Sequence, residues 1–397
     1  MNLTLRGWAC LIGGALWAAF AVAAGTPGLA FPGLFLAALP LVALVTMIPA
    51  RVRAQARRRL ADTPVTVGQP FAWHVDLRLG GWNPGGDGDL AETVAPALGA
   101  SLSVPFPTGA AARRMSVTLQ AAAAWRGRHQ IGPSTLTVRH TLGLARTRLS
   151  VPDTDSVLVM PPVYPLGPGA GMPAADGGAS STSQRAGITG VDDAMIRDYR
   201  VGDDIRRVHW RSTARLGDLM VRGEENTWDP QACLILDTRS HAYGDARPDA
   251  RFEAAVSLIA SLAVHLLRRG YRVALADTSG GMLALDADPV LAEREALVWL
   301  ADIGCDGASW ALDDGLAELS GYLVAAVLAD VDEDTVRRLT GAVPRGSSRW
   351  ALALAGSAPL DVGDVDLFRD AGWSCAPVTS ATPAYEAWQP CLSGAAR

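Results

Sequence analysis

The chain has 397 residues, 49% of them hydrophobic and 19% charged, enough for a sizeable core in two soluble domains and an additional segment. Its formal net charge of -5 gives no electrostatic reason to expect a nucleic-acid partner. All 35 basic residues are arginine, which excludes a P-loop, Schiff-base or kinase-type lysine; the five cysteines (Cys10, Cys233, Cys305, Cys375 and Cys391) form no C-x-x-C pair and read as free thiols of a reducing compartment.

Trp8 to Ala24 and Phe31 to Ile48 are 17 and 18 residues without a charge, each approaching the length of a hydrocarbon core. The "GTPGLAFPG" between them supplies turn residues, so residues 1–60 read as a transmembrane helical hairpin (8–24 and 31–48) with both ends on one side. Arg6 precedes the first span, and Arg51, Arg53, Arg57, Arg58 and Arg59 follow the second. By the positive-inside bias the rest of the chain is cytoplasmic, tethered to a lipid bilayer by more than one pass. The small residues at Ala21 to Ala24 also suit a signal-peptidase site; the second helix would then still deliver its arginine-rich end to the cytoplasm.

From 63 to 160 the hydrophobic period becomes two. Phe71, Trp73, Val75, Leu77 and Leu79 alternate with polar or small residues, and so do Met115, Val117 and Leu119, which predicts a sandwich-like antiparallel β domain. Residues 161–184 are rich in Gly, Pro, Ala and Ser and read as a flexible linker. After a charged region at 185–230, residues 231–397 alternate strands ("ACLILDTR", "YRVALADT", "YLVAAVLADV", "RWALALAG") with helical patterns, one of them the stripe Phe252, Val256, Ile259, Leu262 and Leu266. That alternation predicts an α/β domain with its ligand crevice at the carboxyl ends of the strands.

The charged region contains "YRVGDDIRRVHWRSTARLGDLMVR", Tyr199 to Arg222. Tyr199, Gly202, Asp203, Asp204, Arg206, Arg207, His209, Trp210, Arg211 and Arg215 are its candidate site residues. Seven arginines and nine carboxylates lie between Asp192 and Asp229, nearly balanced, as in a network of ion pairs that satisfies itself. Trp210 offers a flat face to a guanidinium. His209 has no neighbouring Ser or Cys in a nucleophile context, so catalysis is not expected there. Two readings stand: a buried clasp between domains, or an exposed docking or phosphate site. His74, His129, His140 and His265 show no HExxH spacing, and Trp373 and Trp388 read as packing residues.

The stretch Tyr199 to Glu225 resembles the signature "EYxPGDDxRRIHWxxSARxGxLMVRExE" of the bacterial family called domain of unknown function 58. "WRGRHQIGPSTLTVRHTLGLA", Trp125 to Ala145, resembles that family's "RGxYxLGPxxLxxxDPFGLF". The order of parts agrees over essentially the whole chain. The resemblance implies a von Willebrand factor A-like fold for 231–397, a place in the inner (plasma) membrane, and two partners: a MoxR-type AAA+ ATPase and a transglutaminase-like membrane protein.

In a von Willebrand A-like domain the first strand ends in Asp-x-Ser-x-Ser, whose oxygens hold Mg²⁺. Here "LDTRSH" keeps Asp237, but Arg239 and His241 stand where the serines would be; Asp330 resembles the distal acidic position, and the threonine of the site has no clear match. Two lost oxygen ligands argue against a hard cation, and an Asp237–Arg239 pair is expected instead, with no cofactor. The functional expectation is a protein-binding scaffold or adaptor rather than an enzyme. The rival is a metal-assisted hydrolase using Asp237, Asp330 and His209, which bound metal would favour.

Overall fold

The computed structural model describes residues 2–47, 53–60, 64–80, 85–107, 114–167, 194–198, 208, 210–224, 230–244, 248–286, 288–305, 307, 310–312, 316, 322–344, 347–355 and 362–392. They fall into two compact units, Met1–Pro162 with Leu300–Ile303, and Val163–Trp299 with Gly304–Arg397.

The first unit opens with strand β1 (Asn2–Leu3) and helices α1 (Leu5–Ala23) and α2 (Ala30–Met47). Helix α1 begins before Trp8 because a cap sets its boundary: the Thr4 hydroxyl accepts the Gly7 amide at 3.1 Å, and Arg6 falls inside the first turn. Both helices are long and apolar enough to cross a membrane. They meet at two glycines. A Cβ on Gly14 would lie 2.5 Å from the Gly33 carbonyl oxygen, and one on Gly33 2.7 Å from that of Gly14, so only hydrogen fits at the crossing.

Strands β2 (Arg53–Leu60), β3 (Val65–Thr66), β4 (Pro70–Gly80), β5 (Gly85–Val94), β6 (Leu102–Pro107), β7 (Arg114–Ala122), β8 (Gly127–His140), β9 (Ala145–Val151) and β10 (Asp155–Met160) complete the unit. One sheet runs β1-β9-β8-β10-β3 with β5 and β6 branching from β8; the other is β2-β4-β7. Every pairing is antiparallel except β10 with β3. Period-two burial puts Trp73, Val75 and Leu77 against Leu90, Leu136 and Val138 in one core. Ala43 and Met47 of α2 belong to that same core.

This corrects the boundary drawn from sequence at residue 60. Residues 53–60 are strand β2 of the β domain, because Ala56, Arg58 and Leu60 alternate inward while Gln55, Arg57 and Arg59 face out. The domain also grips the start of α1. The Thr4 amide donates to Leu144 O at 2.9 Å and its hydroxyl to Gly143 O at 2.6 Å.

The second unit contains β11 (Ala194–Asp198), α3 (Trp210–Leu216), β12 (Met220–Glu224), β13 (Gln231–Leu236), α4 (Ala250–Arg268), β14 (Arg272–Asp277), β15 (Met282–Ala284), α5 (Pro289–Asp302), β16 (Leu323–Ala329), α6 (Glu333–Ala342), β17 (Ser348–Leu354), α7 (Val362–Asp370), β18 (Ser374–Val378) and α8 (Ala384–Leu392). The main sheet is β15-β14-β13-β16-β17-β18, parallel except for the edge strand β15. Its strands are apolar on both faces, as helices on both sides require. Helix α4 is also apolar enough to span a membrane, yet most of it is enclosed by protein. Trp388 donates to Leu258 O of α4 at 3.1 Å and Trp373 to Thr340 Oγ1 at 3.0 Å, both from buried positions. The start of the segment expected as a linker is packed: the Tyr164 amide donates to Ser261 Oγ at 3.0 Å, and Leu166 is buried.

Candidate functional site

In the main sheet β13 lies between β14 and β16, so the connections leave it in opposite directions and a crevice opens at the carboxyl ends of β13 and β16. The residues ending these strands are Asp237, Thr238 and Arg239 on one side and Asp330 on the other.

The crevice is filled from within. Arg239 Nε donates to Asp237 Oδ1 at 2.9 Å and Nη2 to Oδ2 at 2.8 Å, a bidentate pair. The same guanidinium reaches Thr335 Oγ1 at 3.0 Å and Ala329 O at 3.0 Å, and its carbon stands 5.7 Å from the centre of the Trp310 ring. Asp237 also accepts the Ala329 amide at 3.1 Å and the Arg239 amide at 3.1 Å. Both side chains are buried. Burial opposes the charge of Arg239, but the hydrogen bond and charge of Asp237, with Asp332 and Asp330 behind it, outweigh burial and raise its pKa. Tyr243, whose hydroxyl donates to Asp237 O at 2.9 Å, is pushed well above its ordinary pKa by burial and then by Asp237.

A hard divalent ion would need the oxygens that this guanidinium occupies, so the residues present do not fit Mg²⁺. Thr335, which the sequence did not single out, reaches the crevice as a partner of Arg239. It is placed by the cap of α6, where Asp332 accepts the Thr335 amide at 2.8 Å; the hydrogen bond of the Thr335 hydroxyl, and then that of its amide, hold the Asp332 carboxyl below its usual pKa. Asp330 has φ 49°, is exposed, and makes no ion pair among the described residues. Among those residues no three His, Cys, Asp or Glu side chains converge on a metal position. Burial pushes the thiols of Cys233, Cys375 and Cys391 up to about 12, the opposite of activation.

The charged signature forms a two-stranded ribbon, β11 paired antiparallel with β12, with α3 between them in sequence. The Thr213 hydroxyl accepts the Met220 amide at 3.0 Å, tying α3 to β12, and Val208 and Met220 are buried. Among the described residues Trp210, 65% exposed, makes no ring contact, and Arg215, also exposed, has no partner. Tyr199, Gly202, Asp203, Asp204, Arg206, Arg207 and His209 lie outside the described residues, as does the side chain of Arg211.

A buried arginine clasp exists elsewhere, inside the first unit. Arg58, read from sequence only as part of a topogenic cluster, has a fully buried side chain. It donates to Glu92 Oε1 at 2.6 Å, Ser134 Oγ at 2.7 Å and Asp153 O at 2.7 Å, while Ser134 donates to Glu92 Oε2 at 2.6 Å. Gly132 makes room for it: at φ 103°, a Cβ there would lie 2.7 Å from Arg58 Nη2 and from Asp153 O. The "GPS" of the second signature, Gly132 to Ser134, is thus the socket of Arg58. The available signal was parity, since Arg58 shares a strand face with Ala56 and Leu60.

No curated protein matches the chain in sequence. Among solved structures, the CARDB domain of a Pyrococcus furiosus protein in complex with di-metal ions aligns at 14% identity over 27% of this chain and 93% of that one, with a TM-score of 0.20. Superoxide reductase (neelaredoxin) from Ignicoccus hospitalis aligns at 13% identity over 27% and 78%, with a TM-score of 0.16. Cwp6 from Clostridium difficile aligns at 8% identity over 82% and 53%, with a TM-score of 0.19. Likenesses this low bear on neither fold nor function. The model of the family described as "Protein of unknown function DUF58" matches residues 195–285, from the β11–β12 ribbon through β13 and β14 to β15.

Proposed function

We propose that the chain is a membrane-tethered scaffold or adaptor that docks a protein partner through α3 of the signature. The observation that carries this reading is the exposure of Trp210 and Arg215, a large aromatic and a guanidinium with no partner among the described residues, both of kinds that dominate protein interfaces. The crevice supports it from the other side: with Asp237 and Thr335 engaged by Arg239, the usual ligand position of the sheet is given over to structure.

On this reading the second unit is von Willebrand factor A-like, supported by the doubly wound strand order and by Asp237 and Asp330 at the strand ends. The arginines after α2 favour soluble units in the cytoplasm at the bacterial inner (plasma) membrane. The family resemblance favours a MoxR-type AAA+ ATPase as the docked partner, with a transglutaminase-like membrane protein in the same assembly.

The test is a pull-down of the full chain from native membranes with mass spectrometry. An AAA+ ATPase should be enriched, and Trp210→Ala should abolish its recovery while changing stability by no more than about 0.5 kcal/mol. Undiminished recovery with Trp210→Ala, or no ATPase in the wild-type sample, would sink the proposal.

A further inference from the structure

We propose that the outer face of the β2-β4-β7 sheet is a binding site for the phosphate headgroups of anionic lipids. Its register makes it so. Gln55 lies opposite Arg78, and Arg78 lies opposite Arg114; in the next outward-facing row Arg57, Asp76 and Ser116 are aligned. Two arginines directly opposite one another on an antiparallel pair repel. The one carboxylate among them, Asp76, pairs with Arg59 at 2.9 Å. Arg57, Arg78 and Arg114 are exposed and have no carboxylate partner among the described residues. These side chains line a groove of about 310 Å³ that also holds Gln55 and Ser116, so four arginines against one aspartate leave a net charge of three. The Gln55 and Ser116 side chains add neutral hydrogen-bonding groups, and guanidinium forks suit phosphate oxygens.

The source of the phosphate follows from position. Ala43 and Met47 of α2 are part of the β-domain core, and α2 touches β9, so the domain begins where the membrane helix ends. Strand β2 starts at Arg53, six residues after Met47. Measured along that strand from Arg53, the Gln55 row is about 7 Å and the Arg57 row about 13 Å away, so the row holding Arg78 and Arg114 lies within the Debye length of about 8 Å that bounds attraction to an anionic leaflet.

The experiment uses the full chain in neutral detergent, with native mass spectrometry and melting curves after adding phosphatidylglycerol, phosphatidylcholine or inorganic phosphate. Phosphatidylglycerol should be retained at least about tenfold better than phosphatidylcholine and should raise the melting temperature. An arginine at an anionic surface contributes about fivefold to affinity, so Arg78→Ala with Arg114→Ala should cost about 25-fold. Arg114→Glu places a carboxylate opposite Arg78; it should abolish lipid preference without lowering the lipid-free melting temperature, which separates lost binding from lost folding. Equal retention of the two lipids, or a preference that these variants leave intact, overturns the proposal. A melting shift with inorganic phosphate as large as that with phosphatidylglycerol overturns the lipid source.

Discussion

Arg58 and Arg239 are both buried arginines held by carboxylates, and they differ in what surrounds the pair. Arg58 joins β2 to Glu92 of β5 and to the Gly132–Ser134 stretch of β8, so removing it leaves Glu92 buried without its partner between the two sheets. Arg58→Ala should cost about 3–5 kcal/mol, read as a sharp fall in the melting temperature of the full chain in detergent. A melt within the range of an ordinary surface substitution would show that the pair is dispensable. Arg239 occupies the oxygens of Asp237 and Thr335, and that predicts something more specific. Wild type should show no melting shift at millimolar Mg²⁺, because the oxygens are occupied. Arg239→Ala should be destabilised by a similar few kcal/mol, since Asp237 loses its partner, and Mg²⁺ should recover part of the loss by binding the freed Asp237 and Thr335 oxygens. A wild-type shift would restore the metal reading; an Arg239→Ala melt indifferent to Mg²⁺ would mean the freed oxygens do not form a cation site.

At the scale of elements, the hairpin depends on close approach and on the loop that holds its base. Gly14→Leu or Gly33→Leu would put a side chain where a Cβ already meets backbone within 3 Å. The helices must then separate, and crosslinking between cysteines placed across the crossing should fall to background. The base carries a titratable contact. His140 Nδ1 accepts the Leu142 amide at 3.3 Å, which leaves Nε2 to donate to Thr46 Oγ1 of α2 at 3.4 Å. Burial lowers the His140 pKa, so the folded state disfavours protonation relative to the unfolded chain. The contact's contribution is therefore present above the unfolded value of about 6.5 and is lost as pH falls through the lower folded value. Protection of the amides of residues 140–145 against hydrogen exchange, after correction for the intrinsic pH dependence of the exchange rate, should fall on going from neutral to acidic pH, and His140→Gln should flatten the response. A loss of protection unchanged in His140→Gln would assign it to other groups.

For the whole molecule the first prediction is topology: a reporter fused after Arg397 should be active only in the cytoplasm, and periplasmic activity would invert the proposed placement. The apolar helical hairpin, the β-rich region and the alternating α/β region could be read from sequence because each has its own hydrophobic period, and period reflects local backbone geometry. The Asp237–Arg239 pair was legible for a similar reason, as two residues two positions apart at a strand end. Thr335 was not, because its place in the crevice depends on β13 and β16 becoming sheet neighbours across some ninety residues of chain. Arg58 looked like topogenic charge because one-dimensional counting cannot separate it from Arg57 and Arg59. Only the pairing of β2 with β4 turns Arg58 inward to Glu92 and leaves its two neighbours facing water. Sequence by itself thus determined where the apolar helices, the β-rich region and the α/β region lie along the chain. Tertiary structure decided which charges are buried, since burial is a property of what packs opposite a residue, and that partner is set by sheet register rather than by chain position.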